Sequence, residues 1–194
     1  DAPPVCEKVL RAVLSGVSLT AVFRPGHLPL LAWIALVPLL ISVGRVSPKT
    51  AFRLGFVAGL AHYLTLIYKI VGVLGHYGNL NLFVSLLALL LLSAYLSLYL
   101  GLFSYLAAVM RASRFIFILL PAFWVSLEYV RAHFLTGFPW CLLGYTQYRT
   151  LHVIQVADLL GVYGVSFFIV LVNVFVFRGI LPRTQPSRGF KWEL

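Results

Sequence analysis

The chain has 194 residues, of which 61% are hydrophobic and only 10% charged, and its mean hydropathy is +0.98. A soluble domain carries about 25% charged residues, so this composition excludes an ordinary water-facing globule and leaves the bilayer as solvent. Fifteen Lys and Arg against five Asp and Glu give a formal charge of +10, but the cations lie between apolar runs rather than along one face. That spacing argues against nucleic acid as a partner and fits topology signals and contacts to anionic lipid.

Lys8 and Arg11 precede a first apolar run, residues 12–23. Arg24-Pro25-Gly26-His27 reads as a turn, since proline fixes φ and glycine permits a reversal. A second run covers residues 28–44. Both are shorter than the ~20 residues that span a bilayer comfortably, so they form two short spans with snorkelling ends or one re-entrant hairpin. After Arg45, Lys49 and Arg53 comes a third run, residues 54–75. Gly55 and Gly59, four apart, share a helix face and admit a close neighbour. Within the same run, His62 reads as a hydrogen-bonded packing residue and Lys69 as a snorkelling one. The fourth run, residues 82–110, is the longest and must tilt, bend or protrude. Arg111 and Arg114 separate it from the fifth, residues 115–130. A polar and aromatic connection, residues 131–152, leads to the sixth run, residues 153–177. A basic tail with Arg178, Arg183, Arg188 and Lys191 follows.

The pattern predicts an all-α, polytopic helical membrane bundle of about six transmembrane helices, the first two short. Residues 1–178 form the transmembrane domain and residues 179–194 a basic tail. Eleven Lys and Arg fall on the side holding both ends of the chain, and three on the other. The positive-inside rule therefore puts both ends in the cytoplasm and loop 131–152 on the outer side. Cys6 and Cys141 then face opposite sides and give neither a disulfide framework nor a metal pattern. No metal-ligand or cofactor motif is present.

Charges inside a membrane often mark function. Trp124, Glu128 and Arg131 lie on one helical face. Either Glu128 is aimed at a substrate, or a Glu128–Arg131 pair anchors the helix end and ties down the loop. Gln155, Asp158, Ser166 and Asn173 form a second polar stripe, read as interhelical hydrogen bonding or a cavity wall. Thr136-Gly137-Phe138-Pro139-Trp140 cannot continue a helix smoothly, and Trp140, Tyr145 and Tyr148 suit a membrane interface. Cys141 is a nucleophile only if a base and an oxyanion site assemble around it, and no spacing here provides them.

These segments resemble the membrane domain of bacterial apolipoprotein N-acyltransferase. The resemblance is carried by Ala94-Tyr95-Leu96-Ser97-Leu98-Tyr99, by Pro121-Ala122-Phe123-Trp124 through Glu128 and Arg131, and by Thr136-Gly137-Phe138-Pro139-Trp140 with Gly144-Tyr145 and Gln147. Gly161-Val162-Tyr163-Gly164 through Asn173, and Leu31-Ala32-Trp33 through Pro38, extend it over nearly the whole chain.

The resemblance implies transfer of an acyl chain from a phospholipid to the amino group of a diacylglyceryl-modified lipoprotein cysteine. The reaction passes through a thioester at the outer face of the bacterial inner membrane. Family members carry their catalytic Glu, Lys and Cys in a nitrilase-like domain after the membrane helices. The sequence ends at Leu194 without that domain, so no catalytic residue is expected here. Residues 190–194 read as the approach to a seventh span. The resemblance leaves Trp124, Glu128, Arg131, Thr136, Gly137, Phe138, Pro139, Trp140, Tyr145 and Gln147 as an outer-face, lipid-guiding element. Lys69 stands where the family is expected to have tryptophan. The alternatives are a non-catalytic lipid-binding scaffold, half of a split enzyme, or a small transporter.

Overall fold

A computed structural model of the protein describes residues 4–24, 28–135 and 137–181. Thr136, the Pro25-Gly26-His27 part of the first turn, and the tail from residue 182 with the anticipated seventh span lie outside the described residues. The described residues form eight α-helices. They are α1 (Val5–Ala21), α2 (Val37–Val43), α3 (Pro48–Leu66), α4 (Ile70–His76), α5 (Leu82–Val109), α6 (Ile116–His133), α7 (Leu151–Ile154) and α8 (Ala157–Ile180). Short 3₁₀ turns cover Pro29–Trp33, Met110–Ala112 and Leu143–Gln147.

Local chemistry sets several of these ends. The Ser47 hydroxyl accepts from the Thr50 amide at the start of α3, where Pro48 needs no N–H partner. Asn81 Oδ1 accepts from Val84 N at 2.9 Å and caps α5 in the same way.

α5 extended to Ala112, α6 and α8 are each long and apolar enough to cross a bilayer. Outward-facing Leu86, Leu90, Leu91 and Leu98 on α5 are exposed, as lipid-facing positions should be. The sequence predicted a continuous third span, but the helix breaks after Leu66, and α3 and α4 meet at 49°. Thr65 Oγ1 bonds back to the carbonyls of Ala61 (2.6 Å) and His62 (3.1 Å), a competition that bends helices. Lys69 sits exposed at the break. Taken as one bent span, α3 and α4 bring the count of candidate crossings to four. The two early runs of the six-span reading appear as the 17-residue α1, which carries Glu7, Lys8 and Arg11, and as an interrupted Pro29–Val43 segment.

α3 is the centre of the packing. Gly55 abuts Leu100 and Ser104 of α5, and Gly59 abuts Ser97, so neither site has room for a Cβ. Gly16 of α1 approaches the Ala58 carbonyl on an adjacent face of α3 equally closely. Without a hydrophobic force between helices in lipid, such close backbone approach supplies the dispersion that holds them. The His62 ring is buried against α1, with Nδ1 at 3.0 Å from Thr20 Oγ1.

Two buried amides hold the interrupted early segment. Asn173 on α8 accepts from Leu36 N and donates to the Ala32 carbonyl, both at 2.9 Å. Gln147 donates to the Pro29 carbonyl at 2.9 Å. Non-helical backbone at this depth requires such partners.

Lys8, Arg11, Arg45, Arg111 and Arg178 gather at one end of the bundle. Arg111 donates to the Val46 carbonyl (2.9 Å) and Arg178 to the Arg111 carbonyl (2.5 Å). Lys8, Arg11 and Arg45 border a groove at this same end, beside the last turn of α8. The 18-residue α6 carries the chain about 27 Å from there to the opposite end, where residues 134–135 and 137–150 cap the bundle.

Candidate functional site

The cap is organised by one face of α6. Trp124, Glu128 and Arg131 are all buried, as their spacing predicted. Glu128 and Arg131 do not form the anticipated ion pair; each reaches separately for the loop. Glu128 Oε1 accepts from the Leu143 amide at 2.7 Å. Arg131 donates to the Tyr63 hydroxyl of α3 at 2.5 Å and, at 3.4 Å, to the carbonyls of Trp140 and Cys141. The Arg131 carbonyl in turn accepts from Phe138 N at 2.8 Å.

The loop has the irregular geometry its sequence demands. Gly137 (φ 79) and Cys141 (φ 58) adopt left-handed conformations on either side of Pro139. A Cβ at Gly137 would meet the Ala132 carbonyl. Beyond Cys141 the chain turns into the 3₁₀ segment, where Gly144 N donates to Ser166 Oγ of α8 at 2.8 Å. The Thr146 hydroxyl donates to the Leu143 carbonyl at 2.7 Å. These bonds tie the loop to α3, α6, α8 and the Pro29–Trp33 turn.

The sequence-predicted residues other than Thr136 divide into three sets. Trp124, Glu128, Arg131 and Gln147 are buried and act as braces. Trp140 and Tyr145 are exposed, at 65% and 49%, and Pro139 is exposed beside them. Gly137 and Phe138 are half-buried, the Phe138 ring lying 5.4 Å from that of Trp140. Tyr63 and Ser166 belong to the brace. The signal for Tyr63 was its place beside His62 in an apolar run, since intramembrane polar groups need partners.

The polar stripe predicted along the last helix is divided. Gly161 (φ 65, ψ −171) interrupts α8. Asp158 and Gln155 before the break are exposed, whereas Ser166 and Asn173 after it are buried and bonded. One non-helical residue rotates the two halves of the stripe out of register.

Beneath the loop lies a cavity of about 30 Å³ bordered by Tyr63, Tyr99, Trp124, Glu128, Arg131 and Cys141. A water molecule needs ~10–15 Å³ by this measure, so the space suits one or two waters and not an acyl chain. Glu128 Oε2, Trp124 Nε1 and Arg131 Nε make no hydrogen bond of normal length here. The Trp124 indole and Ser166 hydroxyl are nonetheless the side-chain donors facing that carboxylate. Cys141 is half-buried, and burial pushes its thiol above the usual range although the Arg131 charge pulls the other way. A protonated thiol is a poor nucleophile. No group of three His, Cys, Asp or Glu among the described residues is placed to hold a metal ion. The arrangement therefore fixes a loop and presents aromatic side chains.

The family model described as the apolipoprotein N-acyltransferase N-terminal domain matches residues 15–175. The chain is 53% identical over 173 residues to the apolipoprotein N-acyltransferase of Geobacter metallireducens, covering 87% of this chain and 33% of that protein. The protein of the same name in Pasteurella multocida is 31% identical over 167 residues, covering 86% and 32%. The one in Wigglesworthia glossinidia brevipalpis is 31% identical over 172 residues, covering 79% and 34%. The chain thus spans about a third of the length of the curated relatives it matches.

Proposed function

The chain belongs to the apolipoprotein N-acyltransferase N-terminal domain family, and from that premise we propose that it is the membrane part of a lipoprotein-acylating enzyme. The activity concerned moves an acyl chain from a phospholipid to the amino terminus of a diacylglyceryl lipoprotein. The catalytic groups belong to a nitrilase-like domain that works with this membrane part, and residues 4–181 supply none of them. The membrane part crosses the bacterial inner membrane six times, counting α1, the Pro29–Val43 segment, bent α3–α4, α5, α6 and α8. Residues 1–178 are the membrane domain. Residues 179–194 are a basic tail on the cytoplasmic side, and loop 131–152 faces the periplasm.

The observation that carries this reading is the double anchoring of the loop by Glu128 and Arg131, with Trp140 and Tyr145 turned outward. Interfacial aromatic rings fixed on a rigid brace suit a surface along which two lipid-bearing substrates are guided.

The test is a chimera in which the chain replaces the matching third of the Geobacter metallireducens protein. The purified chimera is expected to acylate a diacylglyceryl lipopeptide from labelled phospholipid, and the chain alone to acylate none. Acylation by the chain alone, or a folded but inactive chimera, overturns the reading.

A further inference from the structure

A second concave site lies at the end of the bundle opposite the loop. It is a groove of about 770 Å³ between the first turns of α1, the Pro29–Val43 segment and the last turn of α8. Its rim carries Lys8, Arg11 and Arg45, and its floor is apolar, with Ile34, Ile41 and Ile180. Two cations of this end, Arg111 and Arg178, donate to backbone carbonyls and serve the fold. Arg11 is paired with Glu7. Among the described residues, the Lys8 and Arg45 side chains make no hydrogen bond or ion pair, so the mouth of the groove keeps a net positive charge.

We propose that this groove binds an anionic phospholipid, its phosphate between Lys8, Arg11 and Arg45 and the upper part of an acyl chain along the isoleucine floor. The volume lies within the ~300–1,000 Å³ of small-molecule sites. The layout of a cationic rim over an apolar floor matches an amphiphile rather than a free anion, for which the floor would be useless. A zwitterionic lipid brings its own cation to the rim and gains less. The chain from residue 182 onward carries Arg183, Arg188 and Lys191 against the single acid Glu193, so its charge does not complement a basic mouth. The site is remote from the braced loop, and it depends on the chain being embedded in a bilayer but not on acyl transfer.

The experiment uses the full chain in vesicles of equimolar phosphatidylglycerol and phosphatidylcholine, extracted gently and weighed with its retained lipid by native mass spectrometry. Phosphatidylglycerol is expected to be retained in preference. Lys8→Gln and Arg45→Gln should each lower that preference about five-fold, the size expected for one cation near an anionic headgroup. Arg45→Lys should keep most of it, which separates charge from misfolding. Lys49→Gln with Arg53→Gln, exposed at the same end but outside the groove, should leave it unchanged. Equal retention of both lipids overturns the proposal. So does an equal loss in the Lys49/Arg53 variant, or a lipid-free dimer as the main species.

Discussion

Arg131 on α6 and Tyr63 on α3 are 68 positions apart in sequence and 2.5 Å apart at their polar ends. This bond joins the helix at the centre of the packing to the helix that carries the loop. The same guanidinium reaches the carbonyls of Trp140 and Cys141, so a single cation ties two helices and a turn together. Arg131→Met leaves three acceptors without it and should destabilise the chain by about 2–4 kcal/mol. Tyr63→Phe should cost about 1–2 kcal/mol. Unfolding in detergent measures both, and the double variant should lose less than the sum, because both changes remove the same bond.

Glu128 performs a narrower task, since one oxygen serves one amide. Glu128→Gln keeps the side chain's shape and an acceptor for Leu143 N, so its cost should stay within about 1 kcal/mol. Glu128→Ala leaves that amide unpaired and should cost about 2–3 kcal/mol. Limited proteolysis between residues 134 and 142 should follow the same order.

Two left-handed residues make opposite predictions. Gly137→Ala adds a Cβ against the Ala132 carbonyl at φ 79 and should destabilise the loop by at least about 1–2 kcal/mol. Cys141→Gly at φ 58 relieves a similar conformational cost while giving up a half-buried thiol. It should leave stability within about 1 kcal/mol of the parent. A ranking of Gly137→Ala above Cys141→Gly in stability contradicts this account of the loop.

The Cys141 thiol holds its proton more tightly in the folded loop than in an unfolded chain, because burial outweighs the pull of Arg131. A raised folded value means that this group's contribution is intact below the ordinary thiol range and is lost as pH rises through the folded value. Alkylation of Cys141 by iodoacetamide should therefore be slow at neutral pH and accelerate only above the ordinary thiol range. Glu128→Ala, by loosening the cover, should move that acceleration to lower pH. An unaltered profile would show that burial does not set the thiol's behaviour.

Much of the architecture was legible in the residues. The apolar runs located α5, α6 and α8, and the paired glycines Gly55 and Gly59 announced the close approach of α3 to its neighbour. The face shared by Trp124, Glu128 and Arg131 was readable from helical spacing alone. Hidden from such spacing were local backbone events and partners far away in sequence. Thr65 bonding back on its own helix breaks the third run, and a single conformation at Gly161 divides the polar stripe. The identity of the partners was equally hidden: two charges three residues apart look like a pair, and only the third dimension gives Glu128 to Leu143 and Arg131 to Tyr63.

Asn173 also has a meaning in time. The carbonyl and amide it satisfies belong to Ala32 and Leu36, 141 and 137 positions earlier. At a synthesis rate of ~5–20 residues per second, the ribosome needs about 7–28 s to deliver the asparagine after those groups have emerged. Through that interval the Pro29–Val43 segment has open backbone groups that lipid cannot bond. This early segment is therefore among the last to be finished, and something wet or proteinaceous must attend it until α8 arrives.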